Sequence, residues 1–303
     1  MGCQKTDSFQ YKQSMISSGN NFPDFNFNQN HLDRLIVSLH EKTSREEFIK
    51  KYNWNIESYN SAISFLETKG FVKKINNSFV PTCMIISKKD GEELFKNAEL
   101  ISKQIADSIT VRIPKLKEKY LLTHLSKTVP FDTISFFIIS NVLLDNWQIG
   151  NVEYDFLHSE RPSRHGKNYY YSFFESSFLN SDPFGIYGNM GFKIFSVFGN
   201  NQRKVNSLKI AQNLESIPLV DSLDNSIFEE FSNEFKGPLI SILNDNKEYA
   251  VEIYNKTGYS KEVDFPEFFI WWYHFIYTQT TNLISKKGII FIPKNGNFYY
   301  RIK

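Results

Sequence analysis

Ala62-Ile63-Ser64-Phe65-Leu66-Glu67-Thr68-Lys69-Gly70-Phe71-Val72 is the stretch on which the fold turns. Tyr59, Ile63 and Leu66 share one helical face, so the spacing predicts a helix from Ile56 to Lys69. Gly70 is the residue type that closes a helix in the left-handed conformation. Beyond it, Phe71-Val72-Lys73-Lys74-Ile75 has strand character, and Asn76-Asn77 suits a tight turn at positive φ. Ser78-Phe79-Val80-Pro81-Thr82 then returns as the second strand of a hairpin. Upstream, Leu32, Leu35, Ile36 and Leu39 form one face of a first helix. Thr43 and Ser44 offer N-cap oxygens, and Glu46 and Glu47 occupy the first turn of a short second helix that carries Phe48, Ile49 and Tyr52. Downstream, Asp90 to Ile109 places Leu94, Ile101 and Ile105 on one face of a further helix.

Three helices followed by a hairpin make residues 31–109 resemble winged helix-turn-helix domains. Many members of that family lay the third helix in the DNA major groove. What the resemblance implies is a cytoplasmic transcriptional regulator whose C-terminal part senses a ligand or dimerises. Lys73, Lys74, Lys88 and Lys89 are then the candidate nucleic-acid contacts. The third helix speaks against this, because Glu57 and Glu67 outnumber Lys69 and no arginine is present to read guanine. A solvated lysine face accounts for the four lysines without DNA.

Composition bounds the rest. A chain of 303 residues implies two domains by length, and 41% apolar residues are enough for sizeable cores. With 35 basic and 33 acidic residues, the net charge of +2 excludes a polyelectrolyte and a strongly basic nucleic-acid binder as the character of the whole chain. Aromatic residues reach 16%, with 29 Phe and 16 Tyr, which excludes a chain disordered throughout and demands that rings be buried or used.

Cys3 and Cys83 are too few and too differently placed for a disulfide framework. Gly2-Cys3 followed by Gln4-Lys5-Thr6-Asp7 resembles the mature start of a bacterial lipoprotein, in which a small residue precedes an acylated cysteine. No charged and apolar leader stands between Met1 and Cys3, so this reading expects one to be encoded upstream. The resemblance implies lipidation at Cys3 and a lipid-anchored location at the bacterial cell envelope. Met-Gly-x-x-x-Thr also fits an N-myristoylation start with Cys3 as a palmitoylation site, and an ordinary soluble N-terminus remains the third alternative. Residues 1–29 are polar and aperiodic and read as a tether. The apolar runs Phe136 to Leu144 and Phe265 to Tyr277 fall short of the roughly 20 residues that span a bilayer.

The densest polar cluster lies in Glu153 to Lys167, where Arg161, Arg164, His165 and Lys167 precede Tyr169-Tyr170-Tyr171. Arginine forks recognise carboxylate or phosphate and tyrosine rings offer stacking faces, so Arg161, Arg164, His165, Tyr169, Tyr171 and Glu175 are the candidate ligand-binding residues. The alternative is structural, with Arg161 and Arg164 paired to Glu153, Asp155 or Glu160. His158, Glu160 and His165 match no zinc spacing, so no metal is expected, and no motif calls for a cofactor.

The C-terminal part reads as helix over Ser226–Asn244, kinked or split by Gly237-Pro238, then a second helix to Lys256. Phe265-Pro266-Glu267 opens a third, whose face of Phe268, Trp271, Trp272, Phe275 and Ile276 reads as core. Ile289 to Pro293 and Phe298 to Ile302 flank Asn295-Gly296 as a closing hairpin. Neither Gly-x-Ser-x-Gly nor another nucleophile motif occurs, and Cys83 sits among Met84 and Ile85 as a small hydrophobe would.

The expectation is an α+β protein in five parts: a polar tether at 1–29, a winged-helix-like domain at 30–111 and a helical connector at 112–150. A small antiparallel aromatic-rich sheet at 151–212 and a helical unit ending in a β-hairpin at 213–303 complete it. The expected function is non-catalytic binding of an unassigned ligand or protein partner by a membrane-anchored lipoprotein, with the cytoplasmic regulator as the alternative.

Overall fold

The computed structural model describes residues 11–175, 188–191, 194–198, 216–293 and 297–303. It is a mixed helix and sheet structure of the α+β class, with helices predominating over small sheets. In chain order the first elements are β1 (Tyr11–Ile16), α1 (Leu32–His40), α2 (Arg45–Tyr52), α3 (Ile56–Thr68), β2 (Val72–Ile75), β3 (Ser78–Pro81) and β4 (Met84–Ile86). Helices α4 (Lys88–Asn97), α5 (Glu99–Thr110), α6 (Ile113–Tyr120), α7 (Phe131–Phe137) and the short α8 (Ile149–Asn151) follow. Then come β5 (Ser163–Arg164), β6 (Lys167–Asn168), β7 (Tyr170–Glu175), β8 (Gly188–Gly191), β9 (Ile194–Phe198) and β10 (Leu219–Val220). Helices α9 (Ser222–Asp245), α10 (Lys247–Lys256) and α11 (Phe265–Lys286) lead to β11 (Asn297–Ile302).

The chain divides into two compact units. The first takes the described residues of Met1–Asp90, Glu160–Phe178 and Val251–Trp271; the second takes those of Gly91–Ser159, Leu179–Ala250 and Trp272–Lys303. Neither is continuous in sequence, so the expected five-part linear division does not match how the chain is folded.

In the first unit the stretch around Gly70 does what its residues dictate. Gly70 adopts φ +75°, Phe71 N–H donates to Leu66 O at 2.9 Å and Gly70 N–H donates to Glu67 O at 3.0 Å, a Schellman closure of α3. Upstream, Ser44 and Glu47 form a reciprocal capping box at α2, and Asn55 caps α3. β2 and β3 pair antiparallel around Asn76, at φ 53°.

The expected tether is corrected from Tyr11 onward. β1 pairs antiparallel with β7 over Tyr11–Ile16, and β4 pairs parallel with β7 on its other side, giving the order β1-β7-β4. The aromatic spacing of the N-terminal run explains why it folds in: Phe27 is buried against Phe71 at 4.7 Å, Tyr171 at 5.0 Å and Phe173 at 5.1 Å between ring centroids. Polar neighbours such as Asn26 and Asn28 make the segment look solvated, but offset and edge-on ring pairs supply its anchor. As the middle strand, β7 is buried on both faces over Tyr170–Phe174, which is why aromatic residues stand on both sides of it.

The central segment is corrected as well. Among the described residues its strands fall in three sheets: β5 pairs with β6, β7 belongs to the three-stranded sheet of the first unit, and β8 and β9 join a four-stranded sheet of the second, ordered β10-β11-β9-β8. The C-terminal hairpin is replaced by a longer-range pairing, since β11 runs antiparallel to β9 and parallel to β10, and Ile289–Pro293 is not a strand. The helix expected over Asp90–Ile109 is two helices, α4 and α5. α9 continues through Gly237-Pro238 without interruption, with Phe235, Leu239 and Leu243 buried along one side. Burial of that stripe outweighs the hydrogen bond that proline forfeits. After α7 the chain passes into a π-helical turn at Ile138–Val142.

Candidate functional site

The cluster singled out by the sequence is built into the interior of the first unit. Ser163-Arg164 and Lys167-Asn168 pair across a two-residue turn, His165 at φ 51° and Gly166 at φ 78°, as the I′ geometry of a tight hairpin requires. His165 is therefore an exposed turn residue. Arg164 points inward with its side chain 2% exposed, facing Glu267, whose side chain is 3% exposed. Its Nη2 lies 2.7 and 2.6 Å from Glu267 Oε1 and Oε2 and 2.7 Å from Thr82 O. Its Nη1 donates to Gly70 O at 2.6 Å and Thr82 Oγ1 at 3.0 Å, and the guanidinium carbon lies 4.8 Å from the centre of the Phe71 ring.

The expected partners Glu153, Asp155 and Glu160 are not the ones Arg164 uses. Glu267 is presented by the first turn of α11, where Asp264 Oδ1 accepts from Glu267 N–H at 2.9 Å as a side-chain cap. Burial pushes Glu267 up to about 7 against the opposing pull of the Arg164 guanidinium. Tyr169 and Tyr171 are buried, Tyr171 Oη donating to Gln13 Oε1 at 2.6 Å, and burial raises both phenols, Tyr169 to about 12. Glu175 is half-buried and accepts from Lys88 N–H at 2.7 Å; Arg161 is half-buried. Arg164 directs five donor contacts at groups of its own chain and the Tyr169 and Tyr171 rings are enclosed, so these three residues form a structural knot inside the first unit.

The nucleic-acid candidates divide between two elements, Lys73 and Lys74 on β2 and Lys88 and Lys89 in the first turn of α4. Lys73 is half-buried; Lys74, Lys88 and Lys89 are exposed, with Lys74 Nζ 5.9 Å from the Phe79 ring centre. On α3 the exposed residues are Ile56, Glu57, Ser58, Asn60, Ser61, Ser64, Phe65, Glu67 and Thr68, none of them basic. Cys3 lies outside the described residues.

A second polar cluster in the first unit has a catalytic look. His40 Nδ1 is 2.8 Å from Glu262 Oε2, its Nε2 is 3.6 Å from Asp90 Oδ2, and its ring stacks on Tyr259 at 5.9 Å. Burial pushes His40 down, but the Asp90 and Glu262 carboxylates outweigh it and raise the imidazole to about 9. It is thus protonated at neutral pH and no base. Ser87 Oγ donates to Asp90 at 2.6 Å and accepts from Asp90 N–H at 3.1 Å, so the nearby hydroxyl caps α4 rather than facing the imidazole. Cys83 is fully buried, and burial pushes its thiol up, away from thiolate chemistry. Among the described residues no group of three or more metal-ligating side chains forms, and no helix is long and apolar enough to cross a membrane.

What remains is a cavity of about 300 Å³ in the second unit, between α6 and α9. Leu116, Leu143, Phe231 and Phe235 give it buried apolar walls, and Arg112, Lys115, Lys119 and Glu234 its rim. Lys119 Nζ lies 2.7 Å from Glu234 Oε1 and 3.2 Å from Glu230 Oε2, while Lys115 Nζ lies 3.2 Å from Glu234 Oε2. The hydrogen bond from Lys119 holds Glu234 below its ordinary pKa and Lys119 above its own. Arg112 is held by Ser108, Nη1 to Oγ at 3.0 Å, with its guanidinium 5.9 Å from the Phe235 ring centre. A wider depression of about 510 Å³ near Pro130, Pro218, Pro293 and Phe298 has no Lys, Arg, Asp or Glu in its lining.

The cavity escaped the sequence reading. Arg112, Lys115 and Lys119 recur at helical spacing, as do Glu230, Phe231, Glu234 and Phe235, and such complementary stripes were the available signal. That the two stripes face each other is a tertiary fact. No family model matches the chain, and neither a curated protein nor a solved structure matches it.

Proposed function

We propose that the chain is a non-catalytic binding protein of the bacterial cell envelope, anchored by a lipid on Cys3, which takes a small anionic ligand with an apolar body in the cavity between α6 and α9. The observation that carries the binding reading is the cavity lining: aromatic and aliphatic walls beneath a rim of three cations and one carboxylate, with no Ser, Thr or Cys among them. Concave, mostly apolar sites with a few convergent charges are what ligand recognition uses. Ion pairs of this partly exposed kind contribute little to stability, so a ligand carboxylate can exchange with Glu234 at small cost. The anchor is supported by Gly2-Cys3-Gln4 and the polar residues that follow.

The first unit is read as winged-helix-like on the order α1, α2, α3, β2, β3. That order favours a second reading, the cytoplasmic DNA-binding regulator, in which Lys73, Lys74, Lys88 and Lys89 meet phosphates. The absence of basic residues from the exposed face of α3 weighs against it.

N-terminal mass spectrometry and membrane fractionation of natively expressed protein test the anchor: an acylated Cys3 is expected, and an unmodified cytosolic one refutes it. For the cavity, a thermal-shift panel of small aryl and branched-chain carboxylates is expected to give a hit that Lys115→Met/Lys119→Met abolishes; an unchanged response removes the cavity from the reading. A DNA mobility shift at low salt that is lost in Lys73→Ala/Lys74→Ala would replace the proposal with the regulator.

A further inference from the structure

Helix α6 and the turn that follows it carry a surface that neither the cavity nor the anchor explains. Between Val111 and Lys127 the chain has Arg112, Lys115, Lys117, Lys119 and Lys127 against Glu118 alone, and of these Lys117 and Lys127 stand outside the cavity rim. The same stretch exposes three large aliphatic side chains: Val111 at 74%, Leu121 at 72% and Leu122 at 68%. α6 turns Ile113, Leu116 and Tyr120 inward, so the two leucines lie past its last buried position.

Their exposure is held by hydrogen bonds. Leu121 N–H donates to Glu118 O at 3.2 Å, Leu122 N–H to Lys119 O at 3.0 Å and Thr123 N–H to Tyr120 O at 3.0 Å. The buried Thr123 then pins the next turn, its Oγ1 donating to Tyr120 O at 2.7 Å and accepting from Ser126 N–H at 3.0 Å. A leucine pair held out by a closed turn keeps its apolar surface in water, which an apolar partner would remove.

Acidic neighbours are present: Asp132 at 3.6 Å from Lys117, Glu230 and Glu234 on Lys119 and Lys115, and Asp221 at 2.7 Å from His124. These pairs are at least partly exposed and readily exchanged. Lys117 meets its acid only at the longer distance, and Lys127 is exposed beside the leucine turn.

We infer that this corner of the second unit docks on the surface of an anionic lipid bilayer, Leu121 and Leu122 entering the boundary between headgroups and acyl chains while Lys117 and Lys127 meet lipid phosphates. Apolar tips ringed by lysine are the pattern of interfacial membrane contact. Lysines brought near an anionic leaflet add electrostatic attraction to the apolar insertion. A protein partner of ordinary size needs about 800 Å² of complementary surface, and a protruding leucine pair among charges is not that. The inference depends on neither acylation of Cys3 nor a ligand in the cavity.

The test is sedimentation of the full-length, unacylated Cys3→Ala protein with vesicles of phosphatidylcholine alone or with about 30% phosphatidylglycerol. Binding is expected only to the anionic vesicles. Leu121→Asp/Leu122→Asp and Lys117→Glu/Lys127→Glu are each expected to weaken it about tenfold or more. Lys50→Glu/Lys51→Glu, an equal charge change at exposed positions of α2 in the first unit, is expected to leave it unchanged; circular dichroism checks that every variant is folded. No sedimentation of the parent protein, or equal loss in the Lys50/Lys51 variant, overturns the inference. So does a dimer in light scattering that Leu121→Asp/Leu122→Asp disperses, which assigns the leucines to a second copy.

Discussion

Replacing Arg164 by methionine removes the guanidinium while keeping much of its stem volume, and the structure sets the size of the effect. The substitution deletes the bidentate contact to Glu267, the bond to Thr82 O and those to Gly70 O and Thr82 Oγ1, all inside the first unit. Gly70 O keeps a partner in Thr82 Oγ1 at 2.6 Å, so the main penalty is a buried carboxylate left alone. Breaking such a pair costs about 3–5 kcal/mol. With a urea m-value of about 1–3 kcal/mol/M, the midpoint of the first unit's transition is expected to fall by more than about 1 M at pH 7.

The loss is also expected to depend on pH. Glu267 is already raised by burial to about 7, and without the cation that draws it down it rises further. A carboxyl group whose folded value lies above its unfolded one binds its proton more tightly when folded, so stability falls as pH climbs from about 4.5 through the folded value. Arg164→Met is therefore expected to lose least near pH 5. Glu267→Gln strands a cation that does not titrate, so that variant's own stability carries no pH dependence from this position over the same range. The double variant Arg164→Met/Glu267→Leu is expected to recover most of the loss, since an apolar pair replaces an ionic one. Urea titrations at pH 5 and 7 decide it. Arg164→Met within about 1 kcal/mol of the parent at pH 7, or no rescue in the double variant, refutes the assignment of this pair as the knot of the unit.

Two further outcomes are expected. His40 has its pKa raised from 6.5 to about 9, so its stabilising charge is fully present below pH 6.5 and lost as pH rises through 9. Denaturation between pH 6 and 10 is expected to lose up to about 3 kcal/mol in the parent and to show no such loss in His40→Gln. Gly70→Ala places a side chain at φ +75°, where the nearest atom to an added Cβ is Arg164 Cα at 3.5 Å, an ordinary contact. Conformational strain alone then lowers stability by about 1–2 kcal/mol, measured by urea unfolding.

The helix boundaries at Ser44, Asn55 and Gly70, the β2–β3 hairpin and the start of α11 at Phe265-Pro266 were legible, because capping, turn chemistry and helical periodicity act over a few residues. The burial of Trp271 and Trp272 was legible too, as a stripe too apolar to leave in water. The candidate site was not. Arg161 to Glu175 looked functional because a dense group of charges and tyrosines carries the same composition whether it meets a ligand or its own chain.

By itself, then, the sequence determined the local elements, the α+β class and the need to bury its rings. Tertiary structure decided the partners. Tyr171 reaches Gln13 across 158 residues and Arg164 reaches Glu267 across 103. β11 pairs with β9 rather than closing a hairpin, and the charged stripes of α6 and α9 meet only when packed. The physical reason is one of range. Dihedral preference and i, i+4 contact are encoded within a turn or two, whereas several apolar strands with the same alternation compete for the same neighbours. Only the joint burial of rings such as Phe27, Phe71 and Tyr171 selects among them.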